Sequence, residues 1–215
     1  MRIQRNRMAL IALFLFLSGA GLLVAQNDWE LVKQGNGVQV YTRQVEGSSL
    51  KEFRAIMYVD ATVESAVALF EDTDNFCNWF DSCGEARTVR QIAPNQWVNY
   101  FVSEQPIGVS DRDMYIQVTV QKDDGDGSVT ASMVGVPTFG PVQSGRVRVQ
   151  QLRGFWRFAP QDDGRLLVIY QVHSEPGGSI PSWVANLAVT DGPLATLTNM
   201  KSQFPRYAGR DPRSI

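Results

Sequence analysis

Histidine is almost missing from this chain and cysteine is scarce, and neither stands in a pattern that catalysis needs. Among 215 residues there is 1 His, His173, and there are 2 Cys, Cys77 and Cys83. A serine nucleophile needs a base held by an oriented acid, and no G-x-S-x-G elbow occurs. His173 closes a strand-like run by itself, the ordinary setting of a structural histidine. A zinc site needs donors beyond two cysteines, and the histidine is distant in sequence. No glycine-rich phosphate loop and no metal-ligand set is present. The acid pairs Asp72/Asp74 and Asp123/Asp124 fall in turns, where solvated carboxylates are common. The residues therefore point away from an enzyme, from a metal and from any cofactor.

Positive charge is also in short supply once the first residues are set apart. MRIQRNR carries Arg2, Arg5 and Arg7 with no acid, MALIALFLFL is apolar throughout, and SGAGLLVA offers small residues at Ala20 and Ala25. A basic start, a short apolar stretch and a small-residue cleavage site make residues 1–25 a secretory signal peptide. The alternative is an uncleaved anchor, since Met8 to Ala25 is just long enough to cross a bilayer as a helix. Gly19 and Gly21 interrupt that run and favour cleavage. The expected location is outside the cytoplasm, periplasmic or extracellular. Without those residues 17 basic side chains face 22 acidic ones, a net charge near −5. Nucleic acid is then not a partner, and anionic membranes attract the domain weakly. In an exported chain, Cys77 and Cys83 of NFCNWFDSCGEA read as one disulfide.

No repeat, low-complexity block or Pro/Ser-rich linker divides residues 27–207, which read as one domain. The polar tail AGRDPRSI, 208–215, is expected to fray. Hydrophobic residues make up 44 %, with 11 Phe, 6 Tyr and 5 Trp, enough for a packed core. GVQVYTRQV (37–45) and LKEFRAIMYVD (50–60) read as strands. Thr62 is an N-cap candidate for the helix VESAVALF, and residues 72–79 form a second short helical piece. Strands follow at EARTVRQI, QWVNYFVSE, RDMYIQVTVQK, SVTASMV, GRVRVQ, LRGFWRF and RLLVIYQV, with hairpin turns at DDGDG and QDDG.

The strand after Arg112 alternates strictly, with Met114, Ile116, Val118 and Val120 on one face and polar residues on the other. One dry face and one wet face predict an antiparallel sheet covered on a single side. Between Arg146 and Phe158 the phase slips, which predicts a bulge or bend near Gln150-Gln151. The fold class is α+β, a curved antiparallel sheet with an apolar face that some other element covers. HSEPGGSIPSW stops the last strand and opens the longest helix. Ser179 is its expected N-cap and Pro181 falls in its first turn. Ile180, Trp183 or Val184, Leu187, Leu194, Leu197 and Phe204 form its apolar stripe, and Gly192-Pro193 should kink or loosen it. Ala185, Ala188, Thr190 and Gly192 leave room under its inner face.

Several motifs recur in a recognisable order: Trp29, Val38, Val40, Tyr41 and Arg43 as W-x8-V-x-V-Y-x-R, then SDRD at 110–113, G-x-W at Gly154 to Trp156, and PGGSIPSWVANLAVTDGP running into LATLTNM. Over residues 27–207 the chain resembles the START family of lipid-transfer domains, its last string most like the phosphatidylcholine-transfer branch. The resemblance implies a helix-grip fold in which the C-terminal helix is the lid of a tunnel for one lipid. It implies a lipid or other hydrophobic small molecule as partner, transient membrane contact and a monomer. Relatives of the fold include cyclases and hydrolases, so an enzyme on a hydrophobic substrate, working through His173 or Tyr100, and a ligand-sensing module are the alternatives.

Carried over by residue, the loop EQPIGVSDRD would touch membrane through Pro106, Ile107 and Val109. The ligand wall would comprise Val98, Tyr100 and Val102 on one strand, Met114, Ile116, Val118 and Val120 on the next, and Leu187 and Leu194 on the helix. Sterol-carrying relatives place a base and an acid inside, which fall here on Val118 and near Tyr100, both uncharged. A head-group anchor would come instead from Tyr100, Asp191 or Thr198. Leaving such a wall unfilled would cost about 24 cal/mol per cubic ångström. Of the adjacent Arg112 and Asp113 only one can face inward, and a structural ion pair fixing the loop is expected. Trp156 and Trp183 are expected in the core.

Overall fold

The alternation in DMYIQVTVQ sets which way the whole sheet faces. The computed structural model describes residues 29–215, so the segment read as a signal peptide lies outside the described residues. In chain order the elements are β1 (Glu30–Gly35), β2 (Val38–Gln44), β3 (Lys51–Val59), α1 (Val63–Glu71), a short 3-10 helix (Thr73–Asn78), β4 (Cys83–Ala93), β5 (Gln96–Ser103) and β6 (Asp111–Lys122). After them come β7 (Val129–Gly135), β8 (Arg146–Arg148), β9 (Gln151–Pro160), β10 (Leu166–Glu175), α2 (Ser182–Lys201) and α3 (Phe204–Tyr207). The strands form one sheet in the order β1-β2-β3-β10-β9-β7-β6-β5-β4, with β8 beside β6.

Register carries one face from strand to strand, because directly opposed residues of antiparallel strands point the same way. Phe101, Asn99 and Trp97 of β5 oppose Met114, Ile116 and Val118 of β6. Val118 opposes Met133, Met133 opposes Gly154, and Trp156 opposes Tyr170, which opposes Ala55. α1 packs on this face and is buried nearly all round, with only Glu64 exposed. Its start is fixed as expected: Thr62 Oγ1 accepts from Ser65 N (3.1 Å) and Ser65 Oγ accepts from Thr62 N (3.2 Å). Phe70 carries the helix into a cluster with Trp97, Trp156 and Phe158.

Several expectations change. The run GRVRVQ is not antiparallel: β8 pairs with β6 in parallel, Arg112 opposite Val147. The phase slip marks a strand change, since Val149 N donates to Asp113 O (3.0 Å) whereas Gln150 N donates to Glu175 O (3.3 Å). α2 opens at Ser182 and its N-cap is Pro181, which has an extended backbone and no side-chain acceptor for the first turn, so Ser179 lies outside. Trp183 is not a core residue but 52 % exposed, because it lies on the outer side of α2. Gly192-Pro193 leaves α2 one continuous element. The polar tail folds back on α1, where the buried Glu71 carboxylate accepts from Arg213 N (2.7 Å) and Ser214 N (2.9 Å). The strand β1, whose ELVKQG has no clear alternation, is an addition.

Candidate ligand cavity

Between the concave face of the sheet and α2 lies a cavity of about 330 Å³. That is near the lower end of the roughly 300–1,000 Å³ of small-molecule sites. Its floor is Met114, Ile116 and Val118 of β6 with Met133, Leu152 and Trp156 of β7 and β9. Tyr170, Val172 and Phe53 form one side, and Phe70, Phe76, Phe80 and Phe101 the other. Val184, Leu187, Ala188 and Asp191 of α2 lie across it. The wall residues that are exposed to solvent, Ser82, Glu104, Leu187 and Ala188, come from only three segments, which places the mouth where they meet.

Met114, Ile116, Val118, Leu187 and Asp191 are thus where the sequence reading put them, and Pro106 lines the cavity as well. Val120 is buried lower in the core and does not reach the cavity. Val98, Tyr100 and Val102 are corrections. They point to the opposite face, into a separate cluster with Tyr115, Val136 and Phe139. The cavity takes the other parity of β5, Asn99, Phe101 and Ser103. Leu194 and Thr198 are also absent from the wall: Leu194 packs toward β1 beside Gly35, and Thr198 Oγ1 donates back to Leu194 O (2.7 Å). Asp191, at the mouth, pairs with Lys33.

The outer face behind β5 and β6 carries a polar network. Asp113 is fully buried and Arg148 6 % exposed. Arg148 Nε and Nη2 donate to the two Asp113 oxygens at 2.9 and 2.8 Å. Its remaining donors reach Pro137 O (2.6 Å), Gly140 O (3.3 Å) and Pro141 O (2.7 Å). The expected structural ion pair therefore exists, with Arg148 as partner, and the loop it fixes is 137–141. Gly140 is required there, as a Cβ would stand 2.4 Å from the Tyr115 hydroxyl. Tyr100 donates to Asp113 Oδ2 (3.1 Å) and accepts from Arg146 Nη1 (2.8 Å). Burial alone would raise the Asp113 carboxyl, but the hydrogen bonds and charge of Arg148 outweigh it and hold it below the ordinary range. Burial pushes the Tyr100 hydroxyl upward. Arg112 points the other way, donating to Ser110 O and Gly177 O.

The loop between β5 and β6 forms one lip. Gln105 N donates to Asp111 Oδ1 (2.9 Å) and Val109 N to Pro106 O (3.0 Å), holding Ile107 fully outward at 105 % exposure. Val109 is half-buried. The adjoining lip is the ring closed by the Cys77–Cys83 disulfide, which holds Phe80, Asp81 and Ser82 against the cavity, and Glu104 N donates to Ser82 O (2.8 Å) across the two lips. Asp81 N donates to Thr196 Oγ1 (3.1 Å), tying that lip to α2. His173 is buried beside Glu175 and lies outside the cavity wall.

A family model for the START domain matches residues 19–205. The chain belongs to the START domain family. An uncharacterized protein of Pseudomonas aeruginosa is 39 % identical over 196 residues, 91 % of this chain and 95 % of that one. The phosphatidylcholine transfer protein of Rattus norvegicus is 28 % identical over 188 residues, 84 % and 85 % of the two chains. The crystal structure of a STAR-related lipid transfer protein fragment from Xanthomonas axonopodis superposes with a TM-score of 0.76 at 34 % identity, covering 82 % of this chain and 98 % of that chain. The human StAR-related lipid transfer protein 5 shares the fold at a TM-score of 0.74 and 17 % identity. The domain is thus a lipid-binding START domain with the helix-grip fold. Residues missed by the sequence reading are chiefly Asn99, Phe101, Tyr170 and Met133. Tyr170 was legible in the alternation of LLVIYQV, and pairing with Trp156 brings it to the wall.

Proposed function

We propose that this START domain is an exported, monomeric carrier that holds one hydrophobic ligand in the cavity beneath α2 and exchanges it at membranes. The observation that carries the reading is an apolar, aromatic-walled cavity with the exposed Leu187 on its wall and the fully exposed Ile107 next to the wall residue Pro106. Export is supported by the basic-then-apolar start of the sequence and by the disulfide. α2 serves as the lid: its first half rests on the mouth and its second half is anchored by Leu197 and Met200. Carrying is favoured over turnover because His173 and Tyr100, the groups an enzyme reading relies on, both lie off the cavity wall.

The test is transfer of a fluorescent lipid between donor and acceptor vesicles. Ile107→Asp is expected to slow transfer about tenfold, because burial of such a side chain in the bilayer is worth roughly 1.5–3 kcal/mol. Its urea midpoint should be unchanged, since Ile107 touches nothing buried. Transfer at the wild-type rate would remove the membrane-tip role.

A further inference from the structure

Several polar groups of the cavity-wall residues are left unanswered by the protein, the Trp156 Nε1–H among them, and two can meet a ligand oxygen. Tyr170 is 8 % exposed, its ring stacked on Trp156 at 4.0 Å and edge-on to Phe53 at 5.0 Å, and its hydroxyl has no hydrogen-bond partner among the described residues. Phenylalanine would pack there equally well, so the hydroxyl serves no internal purpose. Burial raises its pKa, so it stays protonated and can donate. Asn99 is 4 % exposed, and its Oδ1 accepts from Thr73 Oγ1 (3.3 Å) and Thr88 Oγ1 (3.0 Å). Its other amide end has no partner among the described residues, and Asn99 lines the same cavity. A buried polar group without a partner costs free energy that a bound oxygen can recover.

Charge narrows that oxygen further. No lysine, arginine or histidine lies on the described wall, and its ionisable side chains are Asp81, Glu104 and Asp191 at the mouth, with Tyr170 inside. The nearby Lys33 is already paired with Asp191. A phosphate or carboxylate drawn inside would pass three acids and find no cation, and an unpaired buried charge is strongly disfavoured. We infer that the ligand is an uncharged lipid whose hydroxyl, carbonyl or ester oxygen is held inside the cavity by Tyr170 and Asn99, and that lipids bearing a buried anion are rejected. The inference rests on the lipid-binding reading above and narrows it to a chemical class.

The experiment titrates the purified, delipidated full-length protein with oleyl alcohol, oleate and oleoyl lysophosphatidylcholine, following tryptophan fluorescence, since Trp156 stands at the wall. Oleyl alcohol is expected to bind at least about tenfold more tightly than the other two, and Tyr170→Phe to lose about tenfold for the alcohol with no change in ligand-free Tm, the scale of one hydrogen bond. Asn99→Leu should weaken the alcohol similarly. Should its place in the threonine network prevent folding, Tyr170→Phe alone decides. Equal binding of the alcohol by wild type and Tyr170→Phe, or tighter binding of oleate or the lysolipid, overturns the inference while leaving lipid binding intact. If none of the three binds, the lipid-binding reading falls and this inference with it.

Discussion

Asp113 shows how one residue can hold a wall it does not line. Its carboxylate is encircled by Arg148 and Tyr100 on the outer face, while its strand neighbour Met114 faces the cavity. Replacing it with asparagine leaves the Arg148 guanidinium buried without a counter-charge, so Asp113→Asn is expected to lower urea-unfolding stability by about 3–5 kcal/mol. The sign of the pH dependence follows from the depressed folded-state pKa. The stabilisation is complete above the ordinary aspartate value of about 3.9 and is lost as pH falls through the lower folded value. The variant should therefore show a flatter acid limb in Tm against pH. At this scale the sequence was partly legible. That one of Arg112 and Asp113 faces each way could be read from alternation, but not that both would be buried, because the loop 137–141 that covers the outer face is fixed by Arg148, 35 residues away.

Among the elements, β6 and β5 mark the limit of pattern reading. In sequence β6 has a polar parity and an apolar one, and its cavity residues were found, although the polar parity is buried too at Asp113 and Tyr115. WVNYFV of β5 is apolar on both parities and buried on both faces, one against the cavity and one against Tyr115 and Phe139. Periodicity cannot choose between two dry faces, and only the register with β6 does so. The same limit applies to α2, whose stripe joins residues with different surroundings. Trp183, Leu187 and Ala188 in its first half are exposed, whereas Pro193, Thr196, Leu197 and Met200 in its second half are buried. Hydrogen exchange should therefore be faster for amides 184–191 than for 194–201, and the first group should slow on ligand binding. Uniform protection along α2 would contradict its role as a lid.

For the whole molecule, the sequence conveyed the architecture because the sheet is largely antiparallel with one dominant apolar face, and the START motifs are spread along its length. Acidity acts at this scale too. With a net charge near −5 outside the first 25 residues, vesicle transfer should not accelerate when anionic lipid is added, nor weaken when salt rises to about 0.5 M. A steep fall with salt would reveal a basic docking face that the charge count does not provide. The disulfide ring has a mechanical corollary. Phe80, Asp81 and Ser82 are stapled at both ends and form a fixed door jamb, with the Asp81–Thr196 hydrogen bond as its hinge pin. Under the proposed reading, any widening for cargo must come from α2, by swinging its leading turns away from the two lips that the Glu104–Ser82 hydrogen bond joins, so the opening is one-sided and its travel is set by the helix length ahead of Thr196.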